Sequence, residues 1–441
     1  MYRCELQTTP TDLAAAIVEM GGSYTSVLGR SLEAQADALG VSRDLLKPNS
    51  SPDPYTDVRI ADAEILATSE GVIVVSVEQS RQRAASAAST TSSSSTLTLY
   101  GIGTPGIGRL LTDAAAFLSE QFKCELRPWR YESEYFKELV GNGMTPTTKP
   151  TVAEVDGASL LADSAVRRAA LGIAASAGGL LVGDLAKQLD PPDRQRADDI
   201  RAELEARGLV KAEFVVICSR NASQVLRAPS RDALTAAASA GATCACGRTL
   251  TDERIESAIN LDELGRTLLN GSRWMSVLLI QAIHSLGIEY EAMLIEQKSG
   301  GDEMDCFADI SGELCLFELK DKEFSLGNAY SFGAKVGIHK PAHAIIVTTA
   351  QVGNDAKEHF QISQSASRNE RFAPGTNSAI TYIEGLGTLE SALEGLVESI
   401  YAGDARQVLR ACLPFASITP ASFVAALRDR SSVESLESVI A

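Results

Sequence analysis

The stretch EMDCFADISGELCLFELKDKEF, residues 303–324, limits the fold more than any other part of the chain. Alternation predicts a first strand through Met304, Cys306 and Phe307 and a second over residues 313–319, joined by a turn at 309–312, where Asp, Ser and Gly are turn formers. Two β-rich runs joined by a polar turn make a hairpin. Leu314, Leu316, Glu318 and Lys320 share parity, so Glu318 and Lys320 project from one face. Pairing across the hairpin brings Asp305 level with Glu318. Two carboxylates and an ammonium at one end of a hairpin suit the holding of a divalent cation. Residues 302–323 carry eight acids against two lysines, so a solvated surface hairpin is the competing reading.

The rest of the 441-residue chain sets the frame, with room for about two to four domains. A 45% hydrophobic and 22% charged composition is globular. The net charge of −17 excludes a protein coated in basic surface, so any nucleic-acid contact is local or helped by a divalent metal. Eight scattered cysteines form no disulfide framework. The start, MYRCELQTTP, lacks the basic and apolar regions of a signal peptide. The apolar run in residues 167–183 is too short to span a membrane and reads as a buried helix. A cytoplasmic protein without membrane contact is expected.

Ahead of the hairpin, residues 11–46 have helical spacing, 71–77 (GVIVVSV) read as a strand, and 84–96 as a Ser/Thr/Ala-rich exposed loop. Gly101, Gly103 and Gly106 then fit G-x-G-x-x-G between a strand and a helix, which would make a phosphate cradle. A tight strand-to-helix turn is the favoured explanation, since Pro105 stiffens the loop and no βαβ repeat follows. Residues 141–154 read as a Thr/Pro-rich linker. Helices over 159–176, 180–189 and 194–207, followed by a strand at 213–217, have the cadence of a winged helix-turn-helix. Residues 163–211 balance eight basic against eight acidic side chains, which favours protein contact or a spacer over DNA reading. Next, Cys218-Ser-Arg-Asn221 and Cys244-Ala-Cys246-Gly resemble the two knuckles of a zinc ribbon. Asn221 stands where a thiolate belongs, and the second pair is one residue too close. A ribbon that kept its fold and lost its metal is the expectation, with structural zinc on Cys218, Cys244 and Cys246 as the alternative.

From residue 252 the pattern reads helix, three strands, helix, strand, strand, with 253–270 and 272–287 taken as helical. Asp305 followed by Glu318-Leu-Lys320 in this order resembles the active site of the PD-(D/E)xK nuclease superfamily, which includes restriction enzymes, resolvases and defence nucleases. LLNGSRWMSVLLIQAIHSLGIEYE is similar to the helix that opens such cores. The resemblance covers about residues 255–390. It implies Mg2+ or Mn2+ held by Asp305, Glu318 and the Leu319 backbone carbonyl, with Lys320 as the catalytic cation, because hard divalent ions prefer oxygen donors. Relatives often carry a helix glutamate where Met275 or Ser276 stands here, and Glu263, Glu296 or Glu303 are the substitutes. Tyr330 and Lys335 are candidate phosphate contacts.

The expected architecture is a multi-domain α/β protein. Its segments are a mixed α/β region at 1–145, a winged helix at 159–217, a degenerate ribbon at 218–250, a restriction-endonuclease-like αβββαβ core at 252–395 and a helical tail at 396–441. The expected activity is metal-dependent cleavage of DNA, with RNA second, in defence or DNA processing. Homo-oligomerisation and a protein partner for the N-terminal half fit that layout. The rival is a catalytically inactive nuclease fold serving as a sensor or scaffold.

Overall fold

The structure is a computed structural model that describes residues 1–6, 13, 17, 20, 24–26, 58–81, 93–103, 106–176, 178–299, 302–368 and 379–412. They divide into two compact units: the described parts of Met1–Tyr131 and Leu396–Ala441, and those of Glu132–Gly395. The chain is mixed α/β.

In the first unit, β-branched runs build an antiparallel sheet from β1 (Tyr2–Leu6), β2 (Thr25–Ser26), β3 (Val58–Thr68), β4 (Gly71–Arg81), β5 (Ser93–Gly103) and β6 (Arg127–Pro128), ordered β2-β3-β4-β5-β1-β6. Helix α1 (Ile107–Phe122) buries Leu111, Ala114, Ala115 and Leu118, spaced for one face, in a core with Val75, Val77, Leu97 and Leu99. The helical spacing at 11–46 falls almost wholly outside the described residues, as does most of the run at 84–96, whose last residues open β5 instead of forming a loop.

The second unit starts earlier than its composition implies. Helix α2 (Glu134–Gly141), capped by Ser133, buries Phe136 and Leu139 in the same core as Phe307 and Leu316. The Thr/Pro-rich segment after it is tied down, with the Thr147 N–H donating to the Met293 carbonyl at 2.8 Å. The helix expected at 159–176 is two, α3 (Val152–Leu161) and α4 (Ser164–Ala175). Asp163 breaks them by accepting from the Ala165 and Val166 N–H groups at 2.8 and 3.3 Å.

Beyond them lie β7 (Leu180–Leu181), α5 (Leu185–Gln188), α6 (Ala197–Ala206), β8 (Val210–Ile217), β9 (Gln224–Ala228), α7 (Arg231–Ser239) and β10 (Arg254–Leu261). The strands order as β7-β10-β8-β9. β10 corrects the helix expected from residue 253. Ile255, Ala258 and Ile259 fit a helical period, but β7 and β8 take the backbone of this segment from either side. Residues 218–253 are therefore an insertion between two paired strands.

After α8 (Glu263–Leu269) and α9 (Arg273–Ser285) comes a mixed sheet. It contains β11 (Met293–Ser299), β12 (Asp302–Ile310), β13 (Glu313–Lys320), β14 (His343–Thr348) and β15 (Ala379–Glu384), in sequence order. The first three strands are antiparallel and β13, β14 and β15 parallel, with α10 (Leu326–His339) and α11 (Asn354–Arg368) as crossovers. Helix α12 (Leu389–Cys412) follows. Phe307, Leu314, Leu316, Ala344 and Ile346 face Ala329, Phe332 and Phe360 in one core. Cys306, Ala308, Cys315 and Phe317 are also buried, so the hairpin is covered on both faces, which corrects the solvated-hairpin reading.

Candidate active site

The turn of the hairpin is tighter than the spacing implies. Ile310 pairs with Glu313, leaving only Ser311 and Gly312 to reverse the chain, both at positive φ (55° and 84°), as a type I′ turn requires. Asp309 therefore belongs to the strand. It is 3% exposed, and its carboxylate accepts from the Gly312 and Ser133 N–H groups, both at 2.9 Å.

At the other end the β12–β13 ladder stops at Cys306–Phe317. Continuing that register sets Asp305 opposite Glu318 and Met304 opposite Leu319. The Leu319 N–H that would meet Met304 donates instead to the Asp305 carboxylate at 2.7 Å. In a strand the N–H and C=O of one residue point to the same edge, so the Leu319 carbonyl faces the Asp305 side. Glu318, 3% exposed, receives the Lys320 ammonium on one oxygen at 2.9 Å and the Lys335 ammonium on the other at 2.7 Å. Lys335 reaches it from α10, one helical step beyond Phe332 on the sheet-facing side. This places Lys335 as a buried partner of Glu318 and not as a phosphate contact. Tyr330 is 60% exposed and sits beside His359, with ring centroids 4.5 Å apart.

The electrostatics follow from that geometry. Burial, and then the charge of Glu318, push the Asp305 carboxyl up from 3.8 to about 6. Burial works against the Lys320 ammonium, but the charge and hydrogen bond of Glu318 outweigh it and its pKa rises. Asp305, Glu318, Leu319 and Lys320 are thus brought together, joined by Lys335, which the sequence offers as a phosphate contact and not as a partner of Glu318. That pairing carries no signal until the parallel crossover lays α10 on the strand. Met275 and Ser276 are buried and supply no acid. Of the substitutes, Glu296 is paired with Arg273 at 2.7 Å, whereas the charge of Glu303 is felt at Lys320.

The glycines of the proposed phosphate cradle have another explanation. Gly101 and Gly103 lie in β5, paired antiparallel with Ile73 and Gly71. A Cβ on Gly103 would meet the Glu70 carbonyl at 2.1 Å, and one on Gly106 the Glu70 carboxylate at 2.5 Å. Close approach of the β3–β4 turn accounts for Gly103, whereas the contact at Gly106 is only with the end of the flexible Glu70 side chain.

In the insertion, Cys218, Cys244 and Cys246 converge, joined by Glu253, with their ligand atoms all within 4.8 Å of one another. Asn221 is no member, because its side chain accepts from the Ser223 N–H and hydroxyl at 3.0 and 2.7 Å. Glu253 accepts from the Cys246 thiol at 2.9 Å and the Ser219 N–H at 2.6 Å, and in that order these hold its carboxyl down at about 2. Cys218, Cys244 and Glu253 are buried, and Cys246 is half-buried.

No family model matches the sequence, and no curated protein matches it. Among solved structures, the chain is similar to a protein of unknown function, AF1548, at 14% identity and a TM-score of 0.21, over 36% of this chain and 96% of that one. It is also similar to protein VC1899 from Vibrio cholerae, at 11% identity and a TM-score of 0.28, over 61% of this chain and 57% of that one. Among the described residues, no helix is long and apolar enough to cross a membrane.

Proposed function

We propose that Glu132–Gly395 carries a metal-dependent nuclease whose core is restriction-endonuclease-like, and that DNA is its first substrate. The observation that carries this reading is the end of the β12–β13 ladder. There a carboxylate replaces a backbone rung, opposite a buried glutamate that also holds a lysine. The helix–three strands–helix–strand order around it supports the same fold. So does the β7-β10-β8 order after α4, α5 and α6 for a winged helix. The acidic face of α6, with Asp198, Asp199, Glu203 and Glu205 against Arg201, favours a positioning role for that module over groove reading.

Asp305, Glu318 and the Leu319 carbonyl form an oxygen donor set that fits Mg2+ or Mn2+, provided one ammonium gives up its oxygen on Glu318. Lys320, with its side chain 25% exposed against 10% for Lys335, is the freer of the two. A bound divalent ion would neutralise charge on the scissile phosphate and acidify the attacking water. Lys320 would offer its ammonium to the phosphate oxygens, and Lys335 would keep Glu318 oriented.

A specific observation favours the second reading, an inactive scaffold: both Glu318 oxygens are already neutralised by lysines. The test is cleavage of supercoiled plasmid and of labelled single-stranded DNA and RNA with Mg2+, Mn2+ or EDTA, comparing wild type with Glu318→Ala and Lys320→Ala. Metal-dependent cutting lost in both variants supports the nuclease. Silence of the wild type on all substrates supports the scaffold.

A further inference from the structure

We infer that Cys218, Cys244, Cys246 and Glu253 form a tetrahedral zinc site that pins the insertion between β8 and β10. Zinc bound by sulfur at about 2.3 Å and by carboxylate at about 2.1 Å needs ligand atoms about 3.5–3.8 Å apart. The four donor atoms already lie within 4.8 Å of one another, so small side-chain movements close the shell. Three soft thiolates and one carboxylate select zinc over the hard cations suited to Asp305 and Glu318.

Each knuckle is a tight turn with a residue in the left-handed region. In the first, Ala222 has φ 56° and its N–H donates to the Cys218 carbonyl at 2.8 Å. In the second, Gly247 has φ 91° and its N–H donates to the Cys244 carbonyl at 2.8 Å. Cys306 and Cys315 give the contrast, since they are buried in the sheet as ordinary small apolar groups.

Glu253 comes to the site through the sheet. Arg254 pairs with Ile217, so the next residues in that register are Glu253 and Cys218. The Ser219 N–H orients one carboxylate oxygen and leaves the other on the Cys246 thiol. When zinc enters, the three thiols release their protons to solvent and that second oxygen turns from the thiol to the metal. The insertion needs such a pin. Its own apolar core has only Val216, Ala228, Leu234 and Leu250 as buried members.

The test is metal analysis of the full-length chain, purified reduced from zinc-supplemented medium and desalted. The expected result is about one zinc per chain, released by a mercurial thiol reagent, and an intense thiolate-to-metal absorption when cobalt replaces zinc. Cys246→Ser and Glu253→Gln lose zinc to a chelator that leaves the wild type loaded, whereas Asn221→Ala keeps it. Should Cys246→Ser and Glu253→Gln fail to fold, chelation of wild type reports alone, through new protease cutting confined to 218–253. Wild type with reduced thiols and no zinc, zinc loss in Asn221→Ala equal to that in Glu253→Gln, or stoichiometric iron in place of zinc would each overturn the assignment.

Discussion

Asp305→Asn should stabilise the metal-free protein at neutral pH and lose that advantage in acid. The wild-type carboxyl, at 3.8 in the unfolded chain and about 6 in the fold, is ionised at neutral pH against burial and against Glu318. Because its folded pKa is raised, the folded state holds a proton that the unfolded state has released between these two values. Stability therefore falls as pH rises through that window, by about 3 kcal/mol in total. Asparagine keeps an oxygen to accept the Leu319 N–H but carries no charge. In a unit of this size the difference corresponds to roughly 6–12 °C in Tm. Trp274, buried in α9, reports on this unit by fluorescence in a Trp129→Phe background that removes the other tryptophan. With EDTA present, the variant should melt above wild type at about pH 7.5 and level with it at about pH 4. Added Mg2+ should raise wild type and narrow the gap. A gap of equal size at both pH values, or a variant less stable at neutral pH, would refute the reasoning.

Three further outcomes follow from the same geometry. Lys335→Met removes one of two ammoniums from a buried carboxylate and should cost about 2–4 kcal/mol in urea unfolding, less than the full loss of a sole partner. Combined with Glu318→Gln it should cost clearly less than the two single changes added, which a double-mutant cycle reads directly. Gly312→Ala puts a Cβ at φ 84° and should lower stability by about 1–2 kcal/mol, whereas Ser311→Asn at φ 55° should raise it by a few tenths, both read as Tm shifts. In the cleavage assay, Lys320→Ala should abolish metal-dependent cutting while costing less stability than Lys335→Met, since its side chain is the more exposed.

The hairpin was legible because strand parity is a local property: two residues per repeat placed Leu314, Leu316, Glu318 and Lys320 on one face without any knowledge of the fold. The expected turn starts two residues too early, since Asp309 is a turn former by type yet here caps the turn from within the strand. β10 was read as helix because Ile255, Ala258 and Ile259 satisfy a helical period, and only its pairing with β7 and β8 decides the matter. Glu253 carries no signal in the sequence, and Lys335 is legible there only as a phosphate contact, not as the partner of Glu318. Each acts on a residue that the sheet or the crossover, and not the sequence interval, brings to it.

The two sites share one construction, and this explains why half of each could be seen. At Cys306–Phe317 and again at Arg254–Ile217 an antiparallel ladder stops. In both cases the next residue on one strand is an acid, Asp305 or Glu253. Each acid accepts the first orphaned N–H of the opposite strand, that of Leu319 or Ser219. A carboxylate used this way caps the ladder and is itself immobilised, close enough to feel the charge of Glu318 in one case and with its second oxygen on the Cys246 thiol in the other. Unpaired backbone at the end of a buried ladder must be satisfied by something, and an acid that does so is at the same time a preoriented metal donor. Where the two strands are joined by two residues, as at Ser311 and Gly312, the pairing partner can be counted from the sequence. Where they are separated by the insertion at 218–253, it cannot, and the fourth ligand stays hidden until the strands are seen side by side.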